Sequence, residues 1–434
     1  MNLDYQETTL PNKVRVVTAR MPQVQSVACG IWVGVGGRYE SARQSGASHF
    51  IEHLLFKGTP TRSARAISQA IEGRGGYFNA FTQEESTCYY ARISAKHAWR
   101  ALDILTDMYL HPRFAPTDID RERGVIIEEI MMYRDQPQQL VQDFLGELLW
   151  DRHPVGRPLI GTPENIARMT RDELIEFKAR KYVGGNTCIA FAGKVEHEAC
   201  VQRVQDALAE LPGQRAPSRT AVTAKTGQRG LYVHPKEVEQ THLAMAFRLF
   251  GRQDPRRFTL KLLSVILGEN MSSRLFQQVR ERHGLAYSIH SGMHLFDDTG
   301  AFVITAGLEK ARTTKAVELI VTELARLRDK PVSAQELKRA KDYAIGQMEI
   351  GLENTINQMM WIGENKLAYG SIIQPAEVMS CLQQVTASDI EQLAQDIFTS
   401  ERVSVALVTP NPAAAQAAAI RDAFKRLPGG VLKA

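Results

Sequence analysis

The chain has 434 residues, of which 44% are hydrophobic and 23% charged, the balance of a globular protein long enough for two hydrophobic cores. Its formal charge of +5 is spread along the sequence, and no basic block is interleaved with aromatics, so a nucleic-acid partner is not expected. Five scattered cysteines without a CxxC pair, a polar start (MNLDYQETTL) and no apolar run long enough to cross a bilayer argue against a disulfide framework, a secretory leader and a membrane partner; the expectation is a cytoplasmic protein.

Taken in order, the pattern predicts strands around Val14 to Ala19 and Ser26 to Val35, then a loop with Gly34, Gly36 and Gly37. A helix through SHFIEHLLFKG (Ser48 to Gly58) follows, and SQAIEGRGG reads as a helix stopped by its glycines. YFNAFT and STCYYARIS read as paired strands, followed by long helices, the apolar strand CIAFAG and the helix CVQRVQDALAEL, which ends at Leu211. Residues 212–230 lack apolar periodicity and read as a linker. The order then restarts with strands GLYVH and THLAMAF, helices FTLKLLSVILG and SRLFQQVRERHG, paired strands LAYSIHSGMHLF and GAFVITAGL, long helices, the strand VSVALV and a last helix. Two α+β domains built on one plan, 1–211 and 231–434, are the economical reading.

The repeat makes the first predicted helix informative. With Gly58 set against Gly268, Thr259, Leu262 and Leu263 fall at His49, Glu52 and His53. The second copy keeps an apolar helix and lacks the three polar groups, so packing alone does not require them. On a helix, positions i, i+3 and i+4 share a face, so His49, Glu52 and His53 can look into one pocket. Two neutral imidazoles suit zinc, and a carboxylate on that face can take a proton from a metal-bound water. A catalytic zinc needs a third protein ligand, and the helix after Pro116 offers Glu122, Glu128 and Glu129. Glu122 and Glu129 share a face, Glu128 points elsewhere, and spacing does not choose among the three. His290 and His294 would share a strand face without a convincing third ligand.

GASHFIEHLLFKGT, GGYFNAFTQEESTCYY, ERGVIIEEI, GRPLIGTPENI and SSRLFQQVRERHGLAYSI, in this order, resemble the sequence blocks of the inverzincins, the pitrilysin or M16 metallopeptidases. The resemblance spans both halves and is closest to the branch of half-size processing peptidases. It implies two mainly antiparallel α+β domains of the LuxS/M16 peptidase-like type. It implies one Zn2+ per chain on His49, His53 and Glu129, which follows His53 by 76 residues, with Glu122 orienting a ligand from behind. Glu52 would be the general base that activates a zinc-bound water. Asn79 and Ala80 would pair with extended substrate backbone, and Arg280 and Tyr287 would bind the substrate carbonyl and stabilise the oxyanion. The implied activity is endopeptidase cleavage of peptides or unfolded polypeptide segments in an enclosed chamber, with a homodimer completing each active site across subunits. The alternative is a non-catalytic or partner-dependent subunit of a hetero-oligomeric complex; retention of every site position in one chain favours the enzyme.

Overall fold

The structure, a computed structural model, describes residues 4–223, 227, 230–410, 414–429 and 432. It contains two α+β units, each built on one mainly antiparallel sheet. In the first sheet the strands are β1 (Asp4–Thr9), β2 (Arg15–Arg20), β3 (Ser26–Val33), β4 (Tyr77–Thr82), β5 (Thr87–Ser94) and β6 (Thr187–Gly193), in the order β1-β2-β6-β3-β5-β4. The second holds β7 (Gly230–Pro235), β8 (Thr241–Leu249), β9 (Ala286–Leu295), β10 (Gly300–Leu308) and β11 (Val403–Thr409), in the order β7-β11-β8-β10-β9. Without β1 the two orders are the same, and each sheet has its one parallel pair at the same place, β2 with β6 and β7 with β11. The repeat predicted from element order is therefore present in the topology. β1 is the strand that pattern reading misses. DYQETT is polar along an edge, with no residue fully buried, so it carries no apolar signal.

The central strands dictate the layering. SVACGIWV in β3 and TCIAFAG in β6 are buried on almost every residue, and a strand apolar on both faces needs cover on both. On one face Val27, Cys29, Ile31 and Val33 pack with Phe50, Ile51 and Leu54 of the helix Ala47–Leu55 and with Leu102 and Leu105 of the helix Ala98–Leu110. On the other, Ala28 and Trp32 pack with Met359 and Ile362 of the helix Thr355–Tyr369. That helix comes from the far end of the chain. It lies close because Gly363 has no Cβ: a Cβ there would run into the Trp32 indole, and one at Gly30 would run into Met359.

The second unit has the reciprocal feature. Val141, Leu145 and Leu149 of the helix Pro137–Trp150 form a core with Ala244, Ala246, Val303, Ala406 and Val408 of its sheet. The compact units are consequently Met1–Met131 with Pro158–Thr220 and Met348–Ala376, and Met132–Arg157 with Ala221–Gln347 and Glu377–Ala434. This corrects the contiguous division into 1–211 and 231–434: each sheet takes one covering helix from the other half of the chain. Of the expected linker, residues 212–223 contain no helix or strand, while 224–226 and 228–229 lie outside the described residues. Among the described residues no helix is long and apolar enough to cross a membrane, and all five cysteines are free.

Candidate metal centre

The helix Ala47–Leu55, hereafter the motif helix, begins where it does for specific reasons. The Glu40 carboxylate, 4% exposed, accepts the backbone N–H groups of Gly46 and Ser48, both at 2.7 Å, and so satisfies donors that a helix start leaves open. Gly46 is left-handed at φ 95°, and a Cβ there would meet the Ile160 carbonyl oxygen at 2.8 Å. The GRPLIGTPENI segment thus packs against the turn that launches the motif helix. Phe50, Ile51, Leu54 and Leu55 sink into the core, leaving His49, Glu52 and His53 on the face turned to β4 and to the helix Pro116–Asp135.

That second helix, the glutamate helix, brings its three acidic candidates to different places. Glu128 is exposed. Glu122 is 2% exposed; its Oε2 lies 3.1 Å from His53 Nδ1 and its Oε1 2.7 Å from Lys57 Nζ. Glu129 Oε2 lies 3.8 Å from His49 Nε2 and 3.7 Å from His53 Nε2. The last two distances are too long for hydrogen bonds. They suit donor atoms facing a common centre, since bonds of about 2.1 Å at tetrahedral angles set ligand atoms roughly 3.4 Å apart. Ligand atoms of His49, His53 and Glu129 all lie within 4.8 Å of one another, the one such group among the described residues. His290 and His294 form none.

The arrangement of donors suits a cation. A carboxylate only accepts, so Nδ1 of His53 donates to Glu122 and its Nε2 is the nitrogen turned to Glu129. Burial, with a smaller contribution from His53, pushes the His49 imidazole down to about 3, so it is neutral at ordinary pH. Two imidazoles and a carboxylate are a zinc-type donor set. Glu52, on the same helix face, receives the Thr82 hydroxyl on Oε2 at 2.5 Å. Burial pushes its carboxyl above the ordinary value, Thr82 and His53 pull it down, and Glu129 pushes it up again.

β4 is the outer strand of its sheet, paired only with β5, so its second edge is open among the described residues. Asn79 Nδ2 donates to the Tyr77 hydroxyl at 2.7 Å, and the Ala80 N–H rests on Asn79 Oδ1 at 2.9 Å. Arg280 and Tyr287 belong to the second unit, where they meet: the Arg280 guanidinium lies 5.8 Å from the centre of the Tyr287 ring and 4.7 Å from that of Phe276. Tyr287 is 75% exposed. The helix carrying Arg280, Phe276–Arg282, is a π-helix, a form that periodicity does not announce. In this unit the helix Arg257–Gly268 lies against β9 as the motif helix lies against β4, and Thr259, Leu262 and Leu263 are buried in it. The second unit has the scaffold without the ligands.

Three residues of the site were not singled out in the sequence: Glu40, Lys57 and Thr82. Lys57 and Thr82 sit inside the quoted stretches SHFIEHLLFKG and YFNAFT. For Thr82 a signal existed, since period-two alternation puts it on the same strand face as Phe78 and Ala80.

Comparison with known proteins finds relatives over most of the chain. Residues 15–163 match the family described as insulinase, peptidase family M16, and residues 168–343 match the peptidase M16 inactive domain. A Mycobacterium leprae protein named an uncharacterized zinc protease is 38% identical over 406 residues, 93% of this chain and 91% of its own. A Bacillus subtilis protein of like name is 35% identical over 403 residues, 93% and 98% of the two chains. In fold, the chain resembles a crystal structure of a peptidase M16 inactive domain from Pseudomonas fluorescens, at TM-score 0.87 and 19% identity over 95% of this chain and 99% of that one. A protease from Helicobacter pylori is equally similar in fold, at TM-score 0.87 and 20% identity over 94% and 100% of the two chains. With family matches in both halves and relatives 35% and 38% identical over 93% of its length, the chain belongs to peptidase family M16.

Proposed function

We propose that this protein is a zinc-dependent endopeptidase acting on peptides or unfolded polypeptide segments. The observation that carries the reading is the convergence of His49, His53 and Glu129 on one point, with the Glu52 carboxylate on the same helix face. The relatives named zinc proteases support the same reading. His49 Nε2, His53 Nε2 and a Glu129 oxygen would hold the ion, and Glu122 would keep His53 in its metal-binding tautomer. Zinc held there supplies Lewis acidity toward a peptide carbonyl and lowers the pKa of a water molecule. The chain's own residues do the rest. Glu52 takes the proton of the attacking water and later delivers it to the leaving amine. The open edge of β4 at Asn79 and Ala80 takes up extended substrate backbone, for which the Asn79 amide must release the Ala80 N–H. Binding through main chain makes selectivity among side chains modest.

Treatment with a chelator should abolish cleavage of unfolded peptides, and zinc alone should restore it. Cleavage that survives complete metal removal would end this proposal.

The half-buried Arg280 and the exposed Tyr287 complete the reading as the groups that bind the substrate carbonyl and the developing oxyanion, supplied across a homodimer that encloses the substrate in a cytoplasmic chamber. Chains inactivated by His49→Ala, mixed with chains inactivated by Arg280→Ala, should then regain part of the activity, because some mixed dimers hold one intact site. Mixtures that exchange subunits, as seen by size-exclusion of a tagged partner, and stay inactive would rule out completion across subunits.

A further inference from the structure

The shortest hydrogen bond made by Glu52 goes to β4, thirty residues away in sequence, where Thr82 Oγ1 donates to Oε2 at 2.5 Å. Its other oxygen, Oε1, has no such donor among the described residues. A glutamate on a helix has three rotatable side-chain bonds, so holding one carboxylate oxygen decides where the other points. We propose that Thr82 is a positioning residue for Glu52, holding Oε2 so that Oε1 is presented for proton transfer. The assignment rests on the peptidase reading above.

The strand that carries Thr82 gives the contact a further consequence. Along β4, Phe78, Ala80 and Thr82 alternate onto the face toward the motif helix. Phe78 packs against Phe56 just past the end of that helix, with ring centres 5.4 Å apart. β4 is therefore pinned to the motif helix at two points, Phe78 on Phe56 and Thr82 on Glu52, and Asn79 and Ala80 lie between them. The segment whose open edge takes substrate backbone is the same segment that orients the base. One strand thus sets the register of the scissile bond and the direction of the carboxylate, a link worth more than either contact alone for proton transfer, which depends on alignment.

The test compares Thr82→Val, which keeps shape and strand propensity, with Thr82→Ser, which keeps the hydroxyl, in zinc-loaded full-length protein. Thr82→Val should lower kcat by about 10- to 100-fold, as loss of an orienting hydrogen bond behind a reacting group does. KM and zinc affinity, the latter measured by competition with a chromophoric chelator, should stay at the parental values, and Thr82→Ser should restore most of kcat. Parental kcat in Thr82→Val, a loss that follows zinc affinity or KM instead of kcat, or a Thr82→Ser variant as impaired as Thr82→Val would each overturn the assignment. If Thr82→Val fails to fold, as judged by its thermal midpoint, Thr82→Ala against Thr82→Ser makes the same comparison. Glu52→Gln separates the two levels of inference. Inactive Glu52→Gln with fully active Thr82→Val removes the positioning role alone, whereas fully active Glu52→Gln removes the base and its positioning residue together.

Discussion

Glu52→Gln is expected to bind zinc like the parent and to lose about 10²–10⁴-fold in kcat, the usual worth of a positioned general base. The prediction follows from what the substitution leaves alone. Glutamine has the same shape, and its amide oxygen can still accept the Thr82 hydroxyl that now lies 2.5 Å from Oε2. His49, His53 and Glu129 keep their places, because none of the contacts that fix them passes through Glu52: Glu122 orients His53, and Glu40 anchors the start of the motif helix. What disappears is a group able to take a proton. Burial raises the Glu52 carboxyl above its ordinary value, which is the direction a group needs in order both to accept a proton and to give it back. Glu129→Gln, by contrast, exchanges a charged ligand atom for a neutral one and should lose zinc along with activity. Metal content measured beside turnover tells the two roles apart. A Glu52→Gln protein that cleaves peptides at the parental rate with zinc bound would show that the base is another group.

The sequence made the near neighbours of the site legible and left the distant ones open. His49, Glu52 and His53 could be placed on one face because helical geometry is local, and the structure has them there. Glu122 and Glu129 were correctly seen to share a side of their helix, yet one is buried beneath His53 and the other sits between the two imidazoles. Two turns of axial displacement separate those positions, and periodicity reports direction around a helix without reporting height along it. Arg280 near Tyr287 came from resemblance alone, since a π-helix shifts side chains off the 3.6-residue pattern. The strands were readable where they were apolar and alternating. β1 was lost because DYQETT buries too little to leave a signal. The exchanged helices were lost for a different reason. Val141, Leu145 and Leu149 identify an apolar face, and so do Met359 and Ile362, but an apolar face does not say which sheet it covers.

That exchange carries the second large expectation: residues 1–220 expressed alone should fail to fold, although they contain every metal ligand and the base. Without Met348–Ala376 the first sheet loses the helix that covers Val17, Ala28, Trp32, Cys188 and Ala190. Each large apolar side chain returned to water costs about 1.5–3 kcal/mol. Uncovering Val17, Met21, Trp32 and Cys188 together therefore approaches the roughly 5–15 kcal/mol that is the whole net stability of a typical domain. The fragment would also carry the helix Pro137–Trp150, whose Val141, Leu145 and Leu149 have their core in the other unit. Far-UV circular dichroism and solubility should show an aggregating or molten species. Joining residues 348–376 to the fragment should restore a cooperative thermal transition, and Gly363→Val in that addition should remove it again, because a side chain there would strike Trp32. A soluble, cooperatively melting 1–220 fragment would mean that the helix Thr355–Tyr369 is an ornament on a finished domain. If the fragment fails as expected, the two halves are interdependent for folding, and the residues of the candidate metal centre cannot be separated from the C-terminal half of the chain.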